Sequence, residues 1–512
     1  MGVLSGYQPE RVLYYFEQIA GIPHGSGHTQ AISDHLVRFA NEHGLEVSQD
    51  TLGNVVIRKP ASAGCEAAPC VILQGHMDMV CEKEADVTQD MEKEGLRLVV
   101  QRRRDLTVPI QEEAGIVSDL YDPEDVIVTA EGTTLGGDDG IAVAYMLAIL
   151  ESDRITHPSL ECVFTVDEEI GMLGAAGMDM SKLTGKYLLN IDSEDEGHLL
   201  AGCAGGCIVT ITLPVEKEDY TNGVPVLLTV DGLLGGHSGI EIDKGRANAD
   251  MLLGRILQDL TLQFSDTDVR LSSLQGGTKD NAIPREAAAC LMVKENMIRD
   301  IQSFLNEREE VLRGEYGAQD PGIRLSIKPE PGQGGRCFTK ASEQKVIQML
   351  RCVPNGIQKM SFQTPGLVET SLNLGILETD DSSVTFSFLV RSNVNSEKWE
   401  LMKRLRALTE AFGGTIAFAG DYPAWEYRPE SHLRDVMCEC FLEQYGKQMI
   451  VETMHAGVEC GLFTDQIEGL DVVSIGPDMK DIHTPKERMD LASVERTWKL
   501  IISVLERLGA SA

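Results

Sequence analysis

The chain has 512 residues, 42% of them hydrophobic and 24% charged, a globular composition too long for one ordinary core and sufficient for two or three domains at ~100–200 residues each. Eighty acidic against 45 basic residues give a formal net charge of −35, which repels phosphate backbones and anionic lipid surfaces and argues against nucleic-acid or membrane partners. No basic-then-apolar leader opens the sequence, the charge-free run Leu199–Val215 is broken by Gly202, Gly205, Gly206 and Pro214, and twelve scattered cysteines without a repeated CxxC point to reduced thiols in the cytoplasm.

In chain order, Val12, Leu13, Tyr15, Phe16 and Ile19 recur at helical spacing between Pro9 and Ile22, and a second helix over about Thr29–His43 stops at Gly44. Strands are expected at Leu45–Val47 and Asn54–Lys59, then at Val71–Leu73, whose continuation reaches His76 and Asp78. Side chains two apart on a strand share a face, so His76 can hold a metal while Asp78 orients its imidazole. A polar segment follows, Glu82–Glu131, with strand-like Val126–Val128 and the run Arg102-Arg103-Arg104, which reads as a solvated loop before it reads as an anion site. Gly136-Gly137-Asp138-Asp139-Gly140 then precedes Ile141–Leu150, apolar all round and so a buried helix; the glycines let Asp138 sit at the mouth of the fold, and Asp139 is expected to cap the helix.

Strand Leu160–Val166 runs into Asp167-Glu168-Glu169, three adjacent acids that repel one another unless a cation sits among them, and strand Tyr187–Ile191 ends in Asp192. Strands alternating with helices, each delivering an acid or a histidine at its C-terminal end, describe an open α/β sheet with a site along that edge. Beyond Gly202 come strands at Val209–Leu213, Val226–Val230, Ile323–Ile327 and Val384–Val390, with helices near Asn248–Leu260 and Asn296–Leu312. These suggest an inserted α+β domain ending near Gly420, after which strand Val472–Gly476 leads to His483 and a helix over about Ser493–Arg507 closes the chain.

His76, Asp138, Glu169, Asp192 and His483 together suit two zinc-like divalent ions, one taking His76 and Asp192, the other Glu169 and His483, with Asp138 bridging. Two such ions share a hydroxide and polarise a carbonyl, leaving Glu168 free to move the proton from water to a leaving nitrogen.

These motifs resemble the di-zinc metallopeptidases that include aminoacylase, carnosinase and bacterial glutamate carboxypeptidase. The likeness is closest to the aminoacyl-histidine dipeptidase branch. It extends through Gly202-Cys203-Ala204-Gly205-Gly206, Gly235-Gly236-His237-Ser238-Gly239, Asn281-Ala282-Ile283-Pro284, His455-Ala456-Gly457 and Ser474-Ile475-Gly476-Pro477. The resemblance implies an α/β catalytic domain with a mixed central sheet flanked by helices, formed by residues 1–205 and 421–512 and interrupted by an α+β lid and dimerisation domain, 206–420. It implies that Arg391 clamps the substrate's terminal carboxylate, that Asn281 and Gly457 also bind substrate, and that His237 reaches across a homodimer to the partner's site. Two features depart from the branch. The 62-residue spacing from His76 to Asp138 is long, with the excess between Gly95 and Asp125, which bears on substrate access. Close relatives can carry Asn at the position of Asp139, which bears on which aspartate bridges. The expected activity is metal-dependent hydrolysis of unblocked dipeptides, including those ending in histidine, with two zinc ions or manganese or cobalt in their place. N-acyl amino acid deacylation on the same site, or a binding protein that has lost catalysis, are the alternatives.

Overall fold

The computed structural model describes residues 2–102, 105–109, 126–330 and 335–510. Arg103 and Arg104 of the arginine run, and much of the stretch between Gly95 and Asp125, lie outside the described residues. The chain divides into two compact units: Met1–Gly202 with Tyr427–Thr453 and Val458–Ala512, and Cys203–Glu426 with Met454–Gly457. The return to the first unit thus falls at Tyr427 rather than 421, and residues 454–457 belong to the second unit.

The first unit is built on an eight-stranded mixed sheet in the order Glu46–Gln49, Val55–Lys59, Leu160–Thr165, Val71–His76, Tyr187–Asn190, Asp471–Ser474, His198–Cys203, Ile450–Met454. The four strands from Leu160–Thr165 to Asp471–Ser474 are mutually parallel. Leu160–Thr165 and Val71–His76 are buried along their whole length, the pattern of parallel strands covered on both faces, which is why they read as unbroken apolar runs. Parallel pairing aligns their C-terminal ends on one sheet edge, where His76, the 167–169 acids and Asp192 emerge. Helix Gly137–Glu151 is buried from Gly137 to Leu150, as its all-round apolar sequence requires, and helix Glu10–Ala20 packs on it.

A second sheet of this unit was not expected. It runs Met479–Lys480, Arg488–Asp490, Val126–Ala130, Leu98–Arg102, Asp105–Pro109. The polar segment Glu82–Glu131 holds three of these strands: Val126–Ala130, where a strand was expected, and Leu98–Arg102 and Asp105–Pro109, which were not, since Leu98 and Val100 face the core at period two while charged neighbours mask the alternation. The sheet matters to the site: Met479–Lys480 and Arg488–Asp490 pair antiparallel and present His483 on the loop between them, and Arg488–Asp490 also pairs with Val126–Ala130, which leads to Asp138.

The second unit carries a nine-stranded sheet, all of whose recorded pairs are antiparallel, over its own apolar core. Helices Lys340–Cys352 and Asn395–Ala411 and strands Val368–Thr379 and Thr415–Tyr422 were not foreseen here. Among the described residues no helix is long and apolar enough to cross a membrane, and no disulfide joins any of the twelve cysteines.

Candidate active site

The five residues expected to gather do so. His76 Nε2 lies 3.1 Å from Asp138 Oδ1 and 3.5 Å from Asp192 Oδ1. The other Asp138 oxygen, Oδ2, lies 3.1 Å from His483 Nε2, which is 2.8 Å from Glu169 Oε1. One carboxylate therefore faces two histidines, each with a further acid behind it. The side-chain ligand atoms fall into three overlapping groups that could hold a cation: His76, Asp138 and Asp192; Asp138, Glu169 and His483; His76, Glu168 and Glu169.

His76 Nδ1 donates to the Asp78 carbonyl oxygen at 2.9 Å, and since a carbonyl only accepts, the proton sits on Nδ1 and Nε2 is free to ligate. Asp78, expected to orient the ring, meets the same nitrogen with its backbone carbonyl and stands 3.5 Å from it with its carboxylate Oδ1. That carboxylate also accepts from the Glu168 N–H at 3.0 Å, the Glu169 N–H at 3.4 Å and Ser26 Oγ at 2.8 Å. It holds the turn that aims the two glutamates.

The capping role expected of Asp139 is corrected. This residue makes no cap to the helix; its Oδ2 accepts from the His76 backbone N–H at 3.1 Å, tying the helix start to the strand end, and it enters none of the ligand groups. His483 adopts φ +60, a region uncommon for a non-glycine residue, and its ring is part exposed while Asp138 is buried.

Electrostatics describe a site short of positive charge. Bonds to Asp138 and Glu169 push His483 up to about 10. Burial opposes a charge on His76, yet Asp138, Asp192 and Asp78 raise its pKa well above the usual value. Burial pushes Asp192 up to about 6 and Glu194 up to about 8, and it raises Glu168 as well. Protons on the histidines occupy the place that the acids would give to cations.

Two residues that the sequence did not single out hold this cluster together. Buried Glu487, four residues after His483, accepts from the backbone N–H groups of Leu135 at 2.7 Å and Gly136 at 3.1 Å through Oε2, and of Gly137 at 2.8 Å and Asp138 at 3.4 Å through Oε1. Burial and nearby Asp138 push it up to about 7, against those four donors. Replacing Glu487 by Gln puts an amide NH2 against two of these N–H groups and should lower stability by about 2–5 kcal/mol. Chemical denaturation measures this; an unchanged midpoint would mean that the turn holds itself.

Glu459 accepts from Gln74 Nε2 and Thr165 Oγ1, both at 2.6 Å, and Gln74 Oε1 accepts from Asn190 Nδ2 at 2.7 Å. The three strands that deliver His76, the 167–169 acids and Asp192 are thus cross-tied by one buried polar network just below their ends.

In the second unit, His237 Nδ1 accepts from the N–H groups of Gly239 and Ile240 at 3.2 Å, which leaves the proton on Nε2. Burial and Arg391 push its pKa down to about 4, so the ring is a neutral N–H donor at physiological pH. Arg391 is buried, with Nη1 donating to Tyr422 Oη at 3.0 Å and Nε without a partner. A Cβ on Gly457 would stand 2.6 Å from the Tyr422 ring, so only glycine fits there, and Asn281 is exposed with its carbonyl accepting from Ser238 N at 2.8 Å. His455, not assigned a role beforehand, bonds Ser371 Oγ at 2.7 Å and Asn393 Oδ1 at 3.0 Å and braces this group.

A family model described as a peptidase dimerisation domain matches residues 228–320. The chain is 35% identical over 511 residues, all of both sequences, to the cytosol non-specific dipeptidase of Escherichia coli K12. It superposes on the crystal structure of aminoacylhistidine dipeptidase from Vibrio alginolyticus with a TM-score of 0.85 at 34% identity, covering 99% of this chain and 98% of that one. Aminopeptidase PepT from Bacillus cereus, 14% identical with a TM-score of 0.54 over 98% and 99% of the two chains, shares the fold. Full-length identity at this level, together with a cluster of two histidines and three acids on the sheet edge, makes the chain a peptide-bond hydrolase of the metallopeptidase family to which the cytosol non-specific and aminoacylhistidine dipeptidases belong.

Proposed function

We propose that the protein is a cytoplasmic, metal-dependent dipeptidase acting on unblocked dipeptides, those ending in histidine among them. The observation that carries this reading is the Asp138 carboxylate between two histidines, each with a second acid at hand. Nitrogen and carboxylate donors in this ratio fit two zinc-like divalent ions, and the surplus of buried acids fits a site that only added positive charge makes stable. His76 and Asp192 would hold one ion, Glu169 and His483 the other, and Asp138 both. Bound ions supply Lewis acidity toward the scissile carbonyl and the attacking water. Glu168, held by its backbone to Asp78 and left out of the ligand set, takes the proton from water and passes it to the leaving nitrogen.

Substrate contacts fall to the second unit. Arg391 carries a buried, unpartnered Nε and suits a terminal carboxylate, with Asn281 and Gly457 beside it in this role. Neutral His237, with its proton on Nε2, suits an oxyanion. The relative's name places that protein in the cytosol, and twelve cysteines without a disulfide among the described residues accord with a reducing compartment.

The test is a panel of free dipeptides, C-terminally amidated dipeptides and N-acetyl amino acids, assayed with and without added zinc, manganese or cobalt. Free dipeptides should turn over only with metal, and amidation should cost about 10²-fold in kcat/KM through the stranded guanidinium. Turnover of N-acetyl amino acids in preference to dipeptides would replace this reading with deacylation, and equal rates on free and amidated dipeptides would remove Arg391 from carboxylate binding.

A further inference from the structure

An unblocked dipeptide carries a positive charge close to the bond that is cut. Its α-nitrogen is two bonds from the scissile carbonyl carbon, about 2.5 Å away at ordinary backbone bond lengths, so a group that recognises it must stand at the rim of the metal-ligating cluster. That group must be an anion that neither ligates nor is already satisfied. Around the cluster, Asp78 and Asp139 accept from backbone N–H groups beside the ligands, Asp167 Oδ1 accepts from the Gly27 N–H at 2.7 Å, and Glu459 and Glu487 are engaged in their buried ties. Glu194 differs. Its side chain makes no hydrogen bond and no ion pair among the described residues, whereas the next two acids are both paired, Asp195 with Lys480 and Glu196 with Arg496 Nε at 2.7 Å.

The backbone that carries Glu194 is fixed. The Ser193 N–H donates to the Ile475 carbonyl at 3.3 Å, Ser193 Oγ shares a hydrogen bond with Ser474 Oγ at 2.8 Å, the Met479 N–H donates to the Glu194 carbonyl at 2.9 Å, and the Glu196 N–H donates to Asp478 Oδ1 at 2.8 Å. Residues 193–196 are therefore pinned to 474–479, the segment that leads to His483, and all of them lie in the first unit together with every expected ligand. Two residues past Asp192, the part-buried Glu194 carboxyl enters none of the three ligand groups, yet the charges that act on it most are Asp138, Asp192 and Asp195, ahead of His483. Like charges on these sides oppose its own, and no side chain offsets them. A cation that arrives with the substrate does so.

We propose that Glu194 is a specificity residue that binds the α-ammonium group of an unblocked dipeptide. This rests on the dipeptidase reading of the same site and adds the group that demands a free N-terminus. An ammonium beside Glu194 makes a charge-assisted hydrogen bond and relieves the acids around it. An acylated nitrogen carries no charge and brings an acyl group to be housed, so the carboxylate stays unpaired. Preference for a dipeptide over an N-acyl amino acid then rests on one side chain that takes no part in holding metal.

Alanyl-alanine and propionyl-alanine test it, since they differ only in the amine, a hydrogen taking its place. With the metal-loaded wild type, kcat/KM should favour alanyl-alanine by about 10–10²-fold. Glu194→Gln should bring that ratio below about 5-fold through loss on alanyl-alanine, and Glu194→Asp, which keeps the charge, should recover part of it. Calorimetry with the phosphinic analogue of alanyl-alanine and with its des-amino form reads the same preference without turnover, and elemental analysis should find the metal content of Glu194→Gln at the wild-type level. An equal fall on both substrates overturns the proposal, because that is what a structural role gives, and so does loss of metal. A ratio that is high in the wild type and unchanged in Glu194→Gln overturns the proposal alone. A wild type that shows no preference for the amine, or that favours N-acetyl amino acids, overturns the dipeptidase reading and the proposal together.

Discussion

Replacing Glu168 by Gln is expected to lower kcat by about 10²–10⁴-fold while leaving metal content at the wild-type level. The Glu168 backbone N–H is fixed on Asp78 Oδ1 at 3.0 Å, and Asp78 is itself held by Ser26, so the turn survives the change and delivers an amide to the same place. An amide cannot take the proton from water. Neighbouring Glu169 gives the contrast: its Oε1 is 2.8 Å from His483 Nε2, and Glu169→Ala should shed an ion as well as activity. Elemental analysis beside steady-state kinetics separates the two residues. Near-normal turnover in Glu168→Gln would mean that another group carries the proton.

Asn at position 138 should be as damaging, by another route. Each Asp138 oxygen faces a histidine Nε2 at 3.1 Å, and an amide must turn its NH2 toward one of them, so metal content should fall and activity drop by about 10²-fold or more. Asn at 139 keeps an oxygen to accept from the His76 N–H, the bond that Asp139 now makes at 3.1 Å, and should cost under about 10-fold. Measuring both variants side by side fixes the register. The reverse order would make Asp139 the shared ligand and place the chain one residue from the present assignment.

The ligand-bearing edge was legible because a parallel sheet writes its plan locally: an apolar run, then an acid or a histidine, three times over. Strands Val71–His76, Leu160–Thr165 and Tyr187–Asn190 needed no knowledge of their neighbours to be seen. Glu487 and Glu459 were invisible by the same logic. Each earns its role through partners some 290 residues away or more, such as Thr165 and Gln74 for Glu459, and nothing in Lys486-Glu487-Arg488 distinguishes a buried anion from a surface one. Asp139 was found but misassigned, since a place beside a helix start does not say whether a carboxylate meets the helix's own N–H groups or that of a neighbouring strand.

The tie between Glu459 and Gln74, and the clasp of Glu487 on the Leu135–Asp138 turn, also set a timetable for the chain as it is made. Asp192 leaves the ribosome 291 residues ahead of His483, an interval of roughly 15–60 s at ~5–20 residues/s. For that time the nascent chain holds a crowd of like-charged side chains with neither the second histidine nor the C-terminal carboxylates that brace their strands and turn. The first 200 residues are therefore committed to waiting, and the site closes only when the last segment of the chain to be synthesised arrives. Ion loading should then report completion of the polypeptide, and a chain stopped short of Glu459 should emerge as a client for chaperones and proteases rather than as a weaker enzyme.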